Sequence, residues 1–272
     1  MKSQYGNKNL KKPVKQGLYD PIFEHDACGV GMVANIKGKQ SHSIVSQGLE
    51  ALSNLAHRGA AGADPETGDG AGILIQIPHG FFKSELLSIG CDLPDPGQYG
   101  VGMAFLPSDE GQTGSSKSLI EECVSKQGYE LLAWRQVPVD PEKIGVLANR
   151  DRPCITQFFV TPKEKVPENI DRDLYLLRKT IESSIDAAVL ENADDFYICS
   201  LSSSTIVYKG LVMAEQLEDF YKDLTDSSLI SSFALVHSRF STNTLGSWKL
   251  AHPYRFIIHN GEINTVRGNT NW

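Results

Sequence analysis

The order of apolar and polar segments in this 272-residue chain predicts an α/β fold with a doubly wound parallel sheet. Two observations carry that expectation. Candidate helices and strands interleave along the chain, and the strands read as mostly apolar runs, the mark of strands covered on both faces. A third observation bounds it: 40% of residues are apolar and 22% charged, ordinary values for a packed globular chain and incompatible with wholesale disorder. There is no internal repeat, low-complexity tract or evident linker after residue 27, so residues 28–272 read as one domain behind a polar leader.

In chain order, residues 28–36 (CGVGMVANI) form a short apolar strand with glycines near its start. Residues 41–57 turn helical, because Ile44, Val45, Leu49, Leu52 and Leu55 recur at helical spacing and Ser41 or Ser43 can cap the start. Residues 58–72 (RGAAGADPETGDGAG) are a glycine-rich loop, followed by strand 73–77 (ILIQI). Strand 99–106, helix 116–126, strand 129–137 and a polar connector come next, then strand 154–160 and a longer helix near 172–190. Strands 196–201 and 205–210 are separated by a few serines and read as a hairpin. A short helix near 215–224, strand 233–240 and strand 254–260 complete the series, with a turn at Gly261.

Charge and cysteine content exclude several functions. Lys and Arg number 26 against 33 Asp and Glu, a net of −7, which argues against a general nucleic-acid binder. Cys28, Cys91, Cys123, Cys154 and Cys199 are odd in number and contain no C-x-x-C, a poor disulfide framework and a poor zinc site. They fit a reducing compartment such as the cytoplasm. No run approaches the roughly 18 to 20 apolar residues of a membrane helix. Residues 1–27 carry a net of +2 and the rest −9. No apolar core follows the basic start, so the leader is not a secretory signal, and a chloroplast transit peptide would be richer in Ser and Arg.

The glycines of Gly68-Asp69-Gly70-Ala71-Gly72 lead into a strand rather than a helix, so the segment reads as a tight surface loop and not a phosphate cradle. His237, His252 and His259 lie at no metal-ligand spacing and read as core or supporting histidines. Cys28 stands where the leader meets the first strand. Its bland role is small apolar filler. Its chemical role requires removal of the leader, which would set the thiol beside its own α-amine, a base of pKa roughly 7.7–8.0. Such chemistry needs an oxyanion hole and a substrate anchor. The Asn260 side-chain amide and the Gly261 N–H are candidates for the first, where losing one donor costs about 2.7–4 kcal/mol in the barrier. Arg239, whose planar fork suits a carboxylate, is the candidate for the second. Taken singly, an Asn-Gly is a turn and an Arg is a solvated charge.

Three runs lift these residues above that: YDPIFEHDACGVGMVANI, LAHRGAAGADPETGDGAGILIQIP and FALVHSRFSTNTLGSWKLAHPYRFIIHNGEINTVRGNTNW. Across residues 19–272 the chain resembles the class II glutamine amidotransferase part of glutamate synthase large subunits, an N-terminal-nucleophile hydrolase. The resemblance implies an α+β fold, a four-layer αββα sandwich of two mainly antiparallel sheets, in place of the doubly wound sheet. It implies that residues 1–27 are a propeptide and that Cys28 is the nucleophile. Asn260 and Gly261 then form the oxyanion hole, Arg239 grips the glutamine α-carboxylate, and Thr242 belongs to the same substrate-binding segment. No cofactor is implied within this segment. For the whole enzyme the resemblance implies FMN and a 3Fe-4S cluster, downstream synthase domains that aminate 2-oxoglutarate, and a small NAD(P)H-oxidising subunit or ferredoxin as partner. It also implies that the domain continues past Trp272, where an aspartate for the substrate α-amine is expected, so that the sandwich is C-terminally truncated here. Two other readings fit the same residues less fully: another N-terminal-nucleophile amidohydrolase or class II amidotransferase, and a non-catalytic relative.

Overall fold

A computed structural model describes residues 15, 17, 29–59, 61, 64–188, 195–239 and 246–256. Among them are eight strands, β1 (Val30–Ala34), β2 (Ala71–Gln76), β3 (Gly100–Leu106), β4 (Tyr129–Gln136), β5 (Cys154–Pro162), β6 (Tyr197–Ser202), β7 (Thr205–Gly210) and β8 (Phe233–Ser238). The helices are α1 (His42–Asn54), α2 (His79–Ser88), α3 (Glu110–Lys126), α4 (Val146–Arg150), α5 (Ile170–Ala187) and α6 (Gln216–Phe220). The strands form two four-stranded sheets, ordered β1-β8-β2-β7 and β4-β5-β3-β6. Every strand pairing within these sheets with a given register is antiparallel. The parallel sheet expected from interleaving alone is therefore wrong, and the αββα sandwich is right. Interleaving records only that elements alternate. It does not say to which sheet the next strand returns.

The layers follow from side-chain period two along strands buried on both faces. In β3 all seven residues are buried. Val101, Met103 and Phe105 join the core between the sheets with Ile73, Ile75, Ile155 and Phe159. Ala104 and Leu106 point the other way, with Phe158 and Val160, into a second cluster beneath Ile120 and Val124 of α3 and Leu174, Leu177, Ile181 and Ile185 of α5. On the first sheet, α1 buries Val45, Leu49 and Leu52. A Cβ on Gly48 would stand 2.7 Å from Ala234 Cβ, so the missing side chain lets α1 settle on β8.

Several local expectations need correction. Strands 196–201 and 205–210 are not a hairpin: β6 pairs with β3, and β7 pairs with β2 in the other sheet. The serine corner is built by Asp171, whose carboxylate accepts from Ser202 Oγ, Ser203 N–H and Ser204 Oγ at 2.7–3.2 Å and turns the chain from one sheet to the next. The helix expected to begin at 116 starts at Glu110, where the Asp109 side chain accepts from Gln112 N–H. Ser41 is the N-cap residue of α1, but its side chain makes no capping bond. Helices α2 and α4 were missed; α2 is recognisable by Pro78 before it and by Phe81, Phe82 and Leu86 on its buried face. In the strand expected at 254–260, Tyr254–Phe256 are not extended ladder, and the rest lies outside the described residues.

One buried polar cluster ties the sheets together. Arg135 of β4 spends all five of its N–H groups: on Asp223 (2.8 and 2.9 Å), Glu85 (2.7 and 3.0 Å) and Gln157 of β5 (3.0 Å). Tyr208 of β7, in the opposite sheet, donates to Asp223 at 3.0 Å and accepts from Gln157 at 3.2 Å. Arg135 and Asp223 side chains are 8% and 3% exposed. A buried pair with every donor satisfied is tolerated, whereas deleting one partner leaves an uncompensated charge. Asp223→Ala should therefore cost about 3–5 kcal/mol of stability, read from the denaturant midpoint of the full-length protein; a loss under 1 kcal/mol would show that Glu85 alone suffices for Arg135.

Candidate functional site

Strand β8 runs between β1 and β2, and the register brings three chain segments to one end of it. Ser238 N–H donates to Gly29 O at 2.7 Å, and Arg239 N–H donates to Gly70 O at 2.8 Å. Gly29 directly follows Cys28 in the chain. The residue before the first strand, the glycine loop and the arginine expected to bind a carboxylate therefore meet at one end of β8. The glycine loop and the end of β8 line a cavity of about 210 Å³, with Gly59, Asp69, Gly70, Met213, Ser238 and Arg239 on its walls.

Asp69 sets the position of Arg239. Arg239 Nη1 donates to Asp69 Oδ1 at 2.5 Å and to Asp69 O at 3.2 Å, and both side chains are 10% exposed. The loop that carries Asp69 is more than a surface turn, contrary to its sequence reading. Thr67 Oγ1 donates to Asp64 Oδ2 at 2.7 Å and accepts from Ala148 N–H at 3.2 Å, fastening the loop to α4. The Thr67 hydroxyl first and the Glu66 N–H next hold the Asp64 carboxyl below the usual carboxylate range. Gly68 has no room for a side chain, since a Cβ would lie 2.3 Å from Val212 C, and Gly70 adopts φ +129°.

A second layer stands behind the pair. His237 and His252 are 2% and 5% exposed, with rings stacked at 4.5 Å, as supporting histidines should be. Among the described residues no three His, Cys, Asp or Glu side chains converge to hold a metal, and His259 lies outside them. Lys209 of β7 is fully buried, and its Nζ donates to Lys249 O at 3.0 Å and Ala251 O at 2.7 Å. It lies over the rings of Tyr197 (4.4 Å) and Tyr254 (4.7 Å). Burial pulls its ammonium pKa down to about 7.

Of the residues singled out from sequence, Arg239 is placed in this site. Cys28, Thr242, Asn260 and Gly261 lie outside the described residues. Sequence reading missed Asp69 and Lys209. The signals were an acid among glycines at 68–72 and a lysine inside the apolar run TIVYKG. No helix among the described residues is long and apolar enough to cross a membrane.

The model of the class II glutamine amidotransferases matches residues 28–272. The chain is 50% identical over 262 residues to the NADPH glutamate synthase large chain of Bacillus subtilis, covering 96% of this chain and 17% of that one. It is 47% identical over 257 residues to the corresponding large chain of Azospirillum brasilense, covering 93% and 17%. Against ferredoxin-dependent glutamate synthase 2 of Synechocystis it is 42% identical over 252 residues, covering 92% and 16%.

Lys209 gives the fold a pH dependence with a definite sign. Its pKa falls from the ordinary lysine range to about 7 on folding. Above pH 7 the unfolded chain thus holds a proton that the folded chain releases, and stability rises with pH. The Cys199 thiol, pushed up to about 12 chiefly by burial, acts in the opposite sense once free thiols ionise. The clean window is therefore from pH 7 to about 8.5. Lys209→Met should flatten the rise of unfolding free energy across that window, measured by denaturant titration at stepped pH; equal slopes in both proteins would assign the titration elsewhere.

Proposed function

The chain belongs to the class II glutamine amidotransferase family, and we propose that it is the glutaminase part of a glutamate synthase, with Cys28 as its nucleophile. The observation that carries this reading is the meeting of Gly29, Ser238, Arg239 and Asp69 at one end of the first sheet. It sets the chain position next to Cys28 beside the arginine that suits an amino-acid carboxylate.

In this reading residues 1–27 are removed and Cys28 gains a free α-amine. Arg239, oriented by Asp69, takes the α-carboxylate of L-glutamine, with Thr242 in the same segment. The amine accepts the thiol proton as the sulfur attacks the side-chain carboxamide carbon. The carbonyl oxygen becomes an oxyanion held by the Asn260 amide and the Gly261 N–H. The same proton passes to the leaving nitrogen, the C–N bond breaks and ammonia departs. Water then attacks the γ-glutamyl thioester, releasing glutamate and the thiol. The ammonia is delivered to 2-oxoglutarate in downstream synthase domains, with electrons from a small NAD(P)H-oxidising subunit or ferredoxin. FMN and a 3Fe-4S cluster are assigned outside this segment. Its described cysteines are dispersed: Cys91 follows α2, Cys123 is on α3, Cys154 on β5 and Cys199 on β6, and Cys123 and Cys199 are buried.

Three outcomes test this. In the full-length enzyme, Cys28→Ala should abolish glutamine hydrolysis and glutamine-dependent synthesis while ammonia-dependent synthesis persists, and N-terminal sequencing of active enzyme should begin at Cys28. Active enzyme that retains Met1 would defeat the α-amine mechanism. Asp69→Asn should weaken glutamine binding, because a neutral amide holds the Arg239 fork less firmly than a carboxylate. We expect KM for glutamine to rise by about tenfold, one lost charge-assisted hydrogen bond, with kcat changed far less; an effect confined to kcat would detach Asp69 from substrate binding.

A further inference from the structure

Lys209 is a buried cationic side chain that the reaction does not use, and it differs from Arg135 in its partners. No salt bridge from its ammonium to a carboxylate is found among the described residues. Instead it donates to the carbonyls of Lys249 and Ala251. A buried lysine that served only as packing could be an apolar side chain of similar length. Its donors are spent on the backbone of one segment, residues 246–252, and that segment lies hard against the site. A Cβ on Gly246 would stand 3.0 Å from Asp69 Oδ1, and one on Gly70 would stand 3.0 Å from Ala251 Cβ. A Cβ on Gly72 would lie 2.4 Å from His252 O. The His252 ring in turn stacks on His237, two residues before Arg239. Beyond Ala251 the same stretch of chain runs on to Asn260 and Gly261.

We propose that Lys209 is a positioning residue of the glutamine site: by holding the carbonyls of Lys249 and Ala251 it clamps segment 246–252 against Asp69, Gly70 and His237. It touches neither substrate nor reacting atoms. Its effect passes through the segment to the Asp69–Arg239 pair and to the chain that leads into the oxyanion residues. The catalytic part of the inference rests on the glutaminase reading, while the clamp itself rests on geometry alone. The groups facing Lys209 are Tyr197 and Cys199 from β6 and Tyr254 and Arg255 just beyond the segment. Tyr221 bonds its main-chain carbonyl at 2.7 Å.

The test compares Lys209→Met with Lys209→Gln in the full-length enzyme. Met fills the space without donors, and Gln offers an uncharged NH2 with two. Two quantities are read: kcat/KM for glutamine hydrolysis, and amide hydrogen exchange of the peptide covering residues 246–252. Misplacing a site by about 1 Å costs on the order of 10²-fold, so Lys209→Met should lose about that in kcat/KM and exchange faster in that peptide. Lys209→Gln should stay within about fivefold of wild type in rate, one buried neutral hydrogen bond being worth about 1 kcal/mol. Wild-type kcat/KM in a folded Lys209→Met variant overturns the proposal, and so does a loss of rate without faster exchange. If Lys209→Met does not fold, Lys209→Gln decides: wild-type exchange with a tenfold or greater loss of rate overturns the clamp, and near-wild-type values in both uphold it. Should wild-type enzyme fail to hydrolyse glutamine, the glutaminase reading falls by itself; the exchange comparison still supports the clamp if faster and overturns it if unchanged.

Discussion

The placement of β8 between β1 and β2 is the constraint on which the site depends. A strand hydrogen-bonded on both sides cannot slip its register without moving two neighbours. Val30↔His237 on one side and Ala71↔Ser238 on the other therefore fix what lies just beyond each strand. Gly29, Gly70 and Arg239 fall together because all three sit one step past a ladder whose length and register are already set. The main chain does the aligning, with Ser238 bonded to Gly29 and Arg239 to Gly70.

Around that end of β8 the side-chain contacts are short and few in kind. Arg239 is oriented by a carboxylate rather than left to solvent, which restricts the fork to one plane and leaves its remaining donors to other partners. Asp69 is in turn held by a loop fastened through Asp64 and Thr67 to α4 and crowded by Val212, Gly246 and Ala251. The sandwich supplies the rigidity behind it. Its two sheets share an apolar core, and the Arg135–Asp223–Tyr208 cluster crosses between them with every guanidinium donor used. Support of a site by such a frame is the condition for low-cost orientation of a substrate.

Much of the architecture was legible from local pattern. The odd and even residues of β3 and β5 feed two different apolar clusters, and the unbroken apolar spelling of those strands announced that both faces would be covered. The helical period of α1 and α5 was equally plain. The partition of strands between sheets was not legible, because a sequence of alternating elements contains no term for which neighbour a strand will choose. The serine turn after β6 shows the difficulty: it looks like a hairpin, yet Asp171 uses it to send the chain into the opposite sheet. The family resemblance supplied the αββα arrangement where pattern reading had supplied a parallel sheet.

By itself the sequence determined the chemistry on offer: a thiol at position 28 beside glycine, an arginine fit for a carboxylate at 239, and an amide with a glycine at 260 and 261. Those are properties of residue type and motif. Tertiary structure alone decided that Asp69 meets Arg239 across 170 residues and that Lys209 reaches the carbonyls of Lys249 and Ala251. In the sequence Asp69 is one acid in a glycine turn and Lys209 one polar residue in a strand. The roles of both come from partners that only sheet register brings within hydrogen-bond reach, and no local spacing encodes a contact between distant segments.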